Sequence, residues 1–496
     1  MKSKTPSHFL KTILLLVVAA ASSAKPQTVT TSNSTPRYRL IDLGTFGGPS
    51  SSLVFDSQVL NNRGATVGWA DTPLSDPYPG FCFNPDCFGV HAFRWQRGVL
   101  NDLGTLPGGS SSQALMISTS GLIAGASQNG ETDPLLLSRP EVRAVLWNGN
   151  QINDLGTFGG NESIAAGVNS RGQVVGMALN TIADPFSLVD LLFYGSSNGT
   201  QTRAFLWQNG EKQDLGTLGS GNDAGAFFVN EAGQVAGWAY TNSIPNPTTG
   251  LPTFHPFLWE KGKGMQDLGS FGGTQVGNLS GLNQRGEVVG TLTLPGDATW
   301  HPFLWDGKKL VDLGTFGGDM DEATWINDAG EVVGQGAFPG PIFHGFLWKK
   351  GKKTDLGLLP GDLYSGTNAI NSREQIVGVS GNSTSQSAVL WEDGQIFDLN
   401  TLVAPGSDLS LYSALYINDR GEIAGFGLDS NDNNHDVLLI PCDTNQPAVE
   451  GCAYGMVDAS ASAFVRPALP EALRRKLTTP WRRNNWLHLL PFGSTN

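Results

Sequence analysis

The chain has 496 residues, enough for several ordinary domains or for one large repeat architecture. Glycine fills 64 positions, nearly twice the usual share of ~7%, and charged residues make 15% against a typical ~25%. With 13 Trp and 25 Phe, this composition excludes disorder for the bulk, disfavours long helices and reads as all-β.

At the N-terminus, Lys2, Lys4 and Lys11 precede an apolar run over 12–21, followed by Ser22-Ser23-Ala24. Basic, apolar and small segments in that order predict a signal peptide over 1–24, then a polar linker over 25–37. The expected location is secreted or periplasmic. No later stretch approaches ~20 apolar residues, so no transmembrane segment is expected. The formal net charge is −13, and removing the three leader lysines takes it to −16. Residues 453–496 carry six Arg/Lys and two acids, which leaves −20 on 25–452. An acidic body repels phosphate backbones, so nucleic acid is excluded as a partner class.

From residue 38 onward the chain repeats. D-L-G or D-L-N begins at Asp42, Asp102, Asp154, Asp214, Asp267, Asp312, Asp355 and Asp398, in steps of 43–60 residues. Between them lies N-x-x-G-x-x-x-G, opened by Asn61, Asn169, Asn230, Asn283, Asn327, Asn371 and Asn418, with Ser118 in the second unit. Its closing glycine recurs in all eight units, from Gly68 to Gly425. An H-A-F-x-W-like element follows, ending at Trp95, Trp147, Trp207, Trp259, Trp305, Trp348 and Trp391; the eighth copy begins at His435 and lacks the Trp. Each unit reads as four short strands, with Asn and Gly of the N-x-x-G turn expected to supply positive φ. Four strands per 43–60 residues is the signature of a propeller blade. Unit eight stops one strand short, while residues 38–44 form a fourth strand with no preceding three. Joining them closes a ring and removes the free edges. The expected fold is therefore an eight-bladed β-propeller over 38–442, with seven blades or an open β repeat array as alternatives.

At these residues the chain resembles the bacterial extracellular HAF repeat family. His91-Ala92-Phe93 is the literal match, and HPF, HGF, RAF and RAV are its variants. The resemblance covers roughly 38–440. It implies an exported repeat protein with no established biochemical activity.

Four cysteines fall in two local pairs, Cys82 with Cys87 and Cys442 with Cys452, and both pairs are expected as disulfides. Their spacing does not suit zinc. The repeated D-L-G aspartates are expected to accept bonds from the glycine-rich turn behind them. His91, His255, His301, His344 and His435 open the third strand of separate blades and read as buried structural histidines. The G-S-S-N-G run over 195–199 matches a nucleophile elbow by letter but lacks its strand–turn–helix setting. Asp429 begins a D-S-N-D-N run without the Gly or the final Glu of a calcium loop, so a turn is expected, with calcium as the alternative. No cofactor is otherwise expected. Residues 443–496 read as a basic, partly disordered extension, docked on the acidic body or mobile.

Loop lengths point to one face. Between the closing glycine and the third strand the units carry 22, 17, 26, 17, 10, 9, 8 and 9 residues. The four long connections hold aromatics, of which Tyr78, Phe81, Phe193, Tyr194 and Tyr240 are the candidate ligand contacts; packing of the loops on themselves is the alternative. The expected function is a monomeric, non-catalytic binding scaffold for an extracellular glycan or protein. A secreted glycan hydrolase or lyase is the alternative, resting on fold analogy alone. Such an enzyme needs paired carboxylates in one cleft, for which Asp76, Asp86, Asp184 and Asp190 are the loop candidates.

Overall fold

A computed structural model describes residues 37–78, 82–84, 86–135, 139–189, 199–247, 249–340, 342–404, 408–442, 466 and 468–470. Among them the backbone forms eight four-stranded antiparallel sheets. In seven, the strands follow chain order. Blade two, for example, runs Ser112–Ile117, Ile123–Thr132, Pro140–Asn148 and Gln151–Asp154. Blade eight is completed from the other end of the chain: Ser410–Ile417, Ile423–Leu428 and Asn434–Pro441 gain Tyr38–Asp42 as their fourth strand. Tyr38 lies opposite Pro441 and Asp42 opposite Val437. The protein is an eight-bladed β-propeller closed by its N-terminal strand, and the seven-blade and open-array alternatives fall away.

The N-x-x-G turns differ from expectation in an informative way. Their fourth position and not the asparagine takes positive φ, from +73° to +98° at Gly64, Gly121, Gly172, Gly233, Gly286, Gly330 and Gly421. Blade seven has Glu374 at that position, at +59°. The asparagines do other work. Asn327 Oδ1 accepts from the main-chain N–H of Ala329 and Glu331, while its Nδ2 donates 3.1 Å to the carbonyl of Asn371 in the next blade. The same bond to the next blade recurs from Asn61, Asn169, Asn230, Asn283 and Asn371. Asn418 makes it across the ring closure, to Asn61, at 3.0 Å. Replacing Asn327 by Ala leaves buried groups unsatisfied on two blades, so a loss of about 1–3 kcal/mol is expected, read as a lower urea midpoint at unchanged slope.

The closing glycine has a steric cause. A Cβ on Gly125, Gly176, Gly237 or Gly334 would stand 1.9–2.0 Å from a first-strand carbonyl oxygen of the same blade. In Gly125, Gly237 and Gly334 it would also strike a third-strand ring, that of Trp147, Phe257 or Phe346. Beside this close approach the first strands of blades two to eight carry a bulge, as between Ala323 and Trp325. The bulge turns side chains toward the ring axis. There Trp325 of blade six meets Phe228 of blade four edge-on at 6.5 Å and Tyr416 of blade eight at 5.4 Å. Val54, Asp56, Leu115, Met116, Ala166 and Phe227 close over a cavity of about 30 Å³, room for little more than a water molecule. Where these side chains meet, the axis is plugged.

Candidate binding face

Antiparallel order sorts the connections by face. The D-L-G turns and the connections from second to third strand emerge on one face; the N-x-x-G turns and the turns from third to fourth strand emerge on the other. The first face is built on a repeated histidine–aspartate hydrogen bond. His91, His255, His301, His344 and His435 each place Nδ1 2.8–3.0 Å from the D-L-G carboxylate of the same blade: Asp102, Asp267, Asp312, Asp355 and Asp42. As expected, the aspartate also accepts from the following glycine N–H, at 2.7 Å in Asp102 to Gly104 and 2.8 Å in Asp42 to Gly44. The histidines are not buried, however. Their side chains remain 16–27% exposed, because the pair lies at the rim where the third strand starts and the fourth ends.

Blades without the histidine vary the pair. Arg203 takes its place against Asp214 at 2.9 Å, whereas Arg143 turns to Glu141 instead. In blade seven the position is Ser387, and the cation arrives from the C-terminal extension. Arg466 reaches Asp398 at 3.3 Å and holds Asp362 at 2.6 Å, while Leu469 donates its N–H to the Thr384 carbonyl and is buried. The described part of the extension is thus docked on the acidic body.

The long connections of blades one to three are strand extensions more than irregular loops: Thr66–Ser75, Ile123–Thr132 and Val174–Asp184 each run past the rim. Cys82 and Cys87 are bonded as expected and pin the first of them. Cys442 is also disulfide-bonded; Cys452 lies outside the described residues. The loop acids cap their own turns. Asp76 accepts from Tyr78 and Phe83 N–H at 2.8 Å, and Asp184 from Phe186 N–H at 2.8 Å. Asp86 faces Asp71 in blade one, and Asp190 is outside the described residues. Asp76, Asp86 and Asp184 therefore do not form one open cleft. Asp429 Oδ1 accepts from Asn431 and Asn433 N–H within its own turn, and among the described residues no three His, Cys, Asp or Glu side chains gather at metal spacing.

The aromatic expectation is corrected in part. Tyr240 ends the second strand of blade four, Val235–Tyr240, and is fully buried. It stacks on Phe254 at 4.8 Å and donates its hydroxyl to the Phe186 carbonyl at 3.0 Å. Phe83 and Phe254 are buried as well. These rings pack the connections together, because the strand continues further than the closing glycine suggests. Tyr78 is half-buried; Phe81, Phe193 and Tyr194 lie outside the described residues. What the face exposes instead is aliphatic: Leu74, Leu135, Ile182 and Ile244, one on each long connection, are 43–73% exposed.

Beneath these tips the face holds acids whose burial favours the protonated form. Burial, and then the charge of Asp86, pushes Asp71 up to about 7. Burial, followed by neighbouring carboxylates, raises Asp223 and Asp436 well above the usual range. Around the axis, burial lifts Asp56 and Glu322 to about 7. At Asp42, Asp102, Asp267 and Asp355 burial opposes ionisation, but the bonds from histidine and glycine outweigh it and hold the carboxyl low. The bond to Asp42 raises His435. The signs combine into one profile. Raised acids keep protons that the unfolded chain has released, so their contribution falls as pH climbs from about 4, and for Asp56, Asp71 and Glu322 it is gone above about 7. His435 adds stability below its ordinary value of about 6.5, which is lost as pH rises through its raised one. The lowered aspartates lose theirs as pH falls below about 4. A urea midpoint highest between about pH 4 and 6 and declining toward pH 8 is expected; a midpoint rising from pH 5 to 8 would contradict these assignments.

No family model matches the chain, and no curated protein matches it. Among solved structures it is similar to an acylaminoacyl peptidase from Pyrococcus horikoshii, at 10% identity over 78% of this chain and 59% of that one, with a TM-score of 0.40. It is also similar to dipeptidyl peptidase 4 from Porphyromonas gingivalis, at 13% identity over 62% and 48%, TM-score 0.41. TolB from Acinetobacter baumannii matches at 11% identity over 64% and 79%, TM-score 0.29. The chain spans about three-fifths of the first of these and half of the second. At such scores the likenesses carry no argument about chemistry.

Proposed function

We propose that this protein is an exported, non-catalytic HAF-repeat scaffold whose long-connection face binds a protein partner bearing basic and apolar side chains. One observation carries the reading: Leu74, Leu135, Ile182 and Ile244 stand exposed on a face whose rim carries the D-L-G carboxylates, partly exposed and each shared with a histidine in five blades, on a body of net negative charge. Exposed aliphatic tips among acids suit a basic, amphipathic surface. A glycan would favour exposed aromatic rings, and among the described residues of the long connections Tyr240, Phe254 and Phe83 are buried and Tyr78 is half-buried. Export is supported by the Cys82–Cys87 disulfide, which persists in oxidising compartments. Among the described residues no helix is long and apolar enough to cross a membrane. The test sets the full chain against a panel of basic amphipathic peptides and a panel of polysaccharides, scoring binding and cleavage. Peptide binding at low salt is expected, weakened at least tenfold when Leu74, Leu135, Ile182 and Ile244 are all changed to Glu. A polysaccharide bound or cleaved equally by both forms would replace this reading with the glycan-active one.

A further inference from the structure

On the opposite face, the seam between blades one and two breaks the repeat. The fourth residue of the H-A-F-x-W element is leucine in seven blades: Leu146, Leu206, Leu258, Leu304, Leu347, Leu390 and Leu438. All but Leu347 are buried. In blade one it is Arg94. A second departure lies in the N-x-x-G turns. The position four after the Asn is Gln or Glu in blades three to eight, but Ala65 in blade one and Leu122 in blade two. In blades three, five and eight that residue engages the turn's arginine: Arg171 with Gln173, Arg285 with Glu287, Arg420 with Glu422. Arg63 has no such partner on its own turn, and among the described residues its side chain donates to the Ser120 carbonyl, at 3.2 Å.

These departures meet in one place. Arg63, Ala65, Arg94, Ser120 and Leu122 line a cavity of about 370 Å³, together with Asn148 of the next turn. That volume lies within the range of small-molecule sites. No carboxylate lines it. Arg94 Nε is buried without a hydrogen-bond partner, and the guanidinium forms no ion pair among the described residues. A buried Nε–H without a partner, at a seam that other blades fill with leucine, costs stability unless a ligand or water completes it. Two guanidinium groups with no acid between them present the planar, multidentate donor set that suits a carboxylate or phosphate.

We propose that the cavity between blades one and two binds a small anion through Arg63 and Arg94. The site is independent of the protein-binding face, which lies across the disc. Thermal unfolding and calorimetric titration of the full chain would test it, with inorganic phosphate, citrate and glucuronate as probes against chloride at matched ionic strength. At least one probe is expected to raise the melting temperature of the parent and to bind at least tenfold more weakly to Arg63→Gln. Arg94→Leu restores the repeat residue, so it should abolish probe binding and raise the ligand-free melting temperature by about 1–3 °C. Binding of phosphate and both organic acids defines a general anion site; binding of the organic acids alone restricts it to carboxylates. Should Arg94→Leu fold poorly, Arg94→Gln provides the same comparison while keeping a long side chain. The proposal is overturned if no probe separates the parent from the Arg94 and Arg63 variants.

Discussion

Deleting residues 38–44 is expected to break the single cooperative unfolding transition. The strand Tyr38–Asp42 covers Asn434–Pro441 along five paired positions. Its loss uncovers that edge and removes the Asp42–His435 pair and the Leu43 N–H bond to the Asp436 carbonyl. Tyr38 and Leu43 are both buried, and losing them alone costs about 3–6 kcal/mol. An open edge on a blade also templates pairing between chains. Calorimetry should show a broadened or split transition at lower temperature, with concentration-dependent aggregation. A deletion variant that melts like the parent would mean that the ring is closed by other contacts.

Substitution at a closing glycine should be nearly as severe. In Gly334→Ala the new methyl would sit 2.0 Å from the Glu322 carbonyl oxygen and 2.6 Å from the Phe346 ring. The nearest obstacle is backbone, so relief requires the first and second strands to separate. A loss of about 3 kcal/mol is expected, at the upper end of overpacking costs. Gly98→Ala is the control. Gly98 has φ of +81° and nothing within 4 Å of its added Cβ, so only the strain of the left-handed conformation, about 1 kcal/mol, applies. Equal losses in the two variants would show that backbone conformation, not the close approach, selects the closing glycine.

Much of the architecture was legible because each blade repeats its strands and turns within 43–60 residues. The orphan strand at residues 38–44 and the short eighth unit together specified closure. What escaped was contact between blades. The asparagine bonds join residues 44–61 apart, and once 357 apart, so the motif shows only the local turn. The axial plug follows from bulges that turn Phe228, Trp325 and Tyr416 inward, and bulges leave no letter in the sequence. At the site, the long connections of blades one to four were found from their length alone. Their aromatics were misjudged where strand pairing carried them inward, as at Tyr240. Arg94 was visible as an odd residue in H-A-F-R-W, yet its consequence needs the neighbouring blade, where Leu122 and Ser120 leave the space it faces.

The assignment of binding to the long-connection face is tested most directly by photo-crosslinking from defined positions in producing cells. A photoreactive residue at Ile182 or Ile244 reports on that face; one at Arg97 or Lys308, both exposed on third-to-fourth-strand turns, reports on the other. A discrete protein adduct from positions 182 and 244, absent from 97 and 308, is the predicted result. Adducts from 97 and 308 alone, or none from 182 and 244, would contradict the assignment.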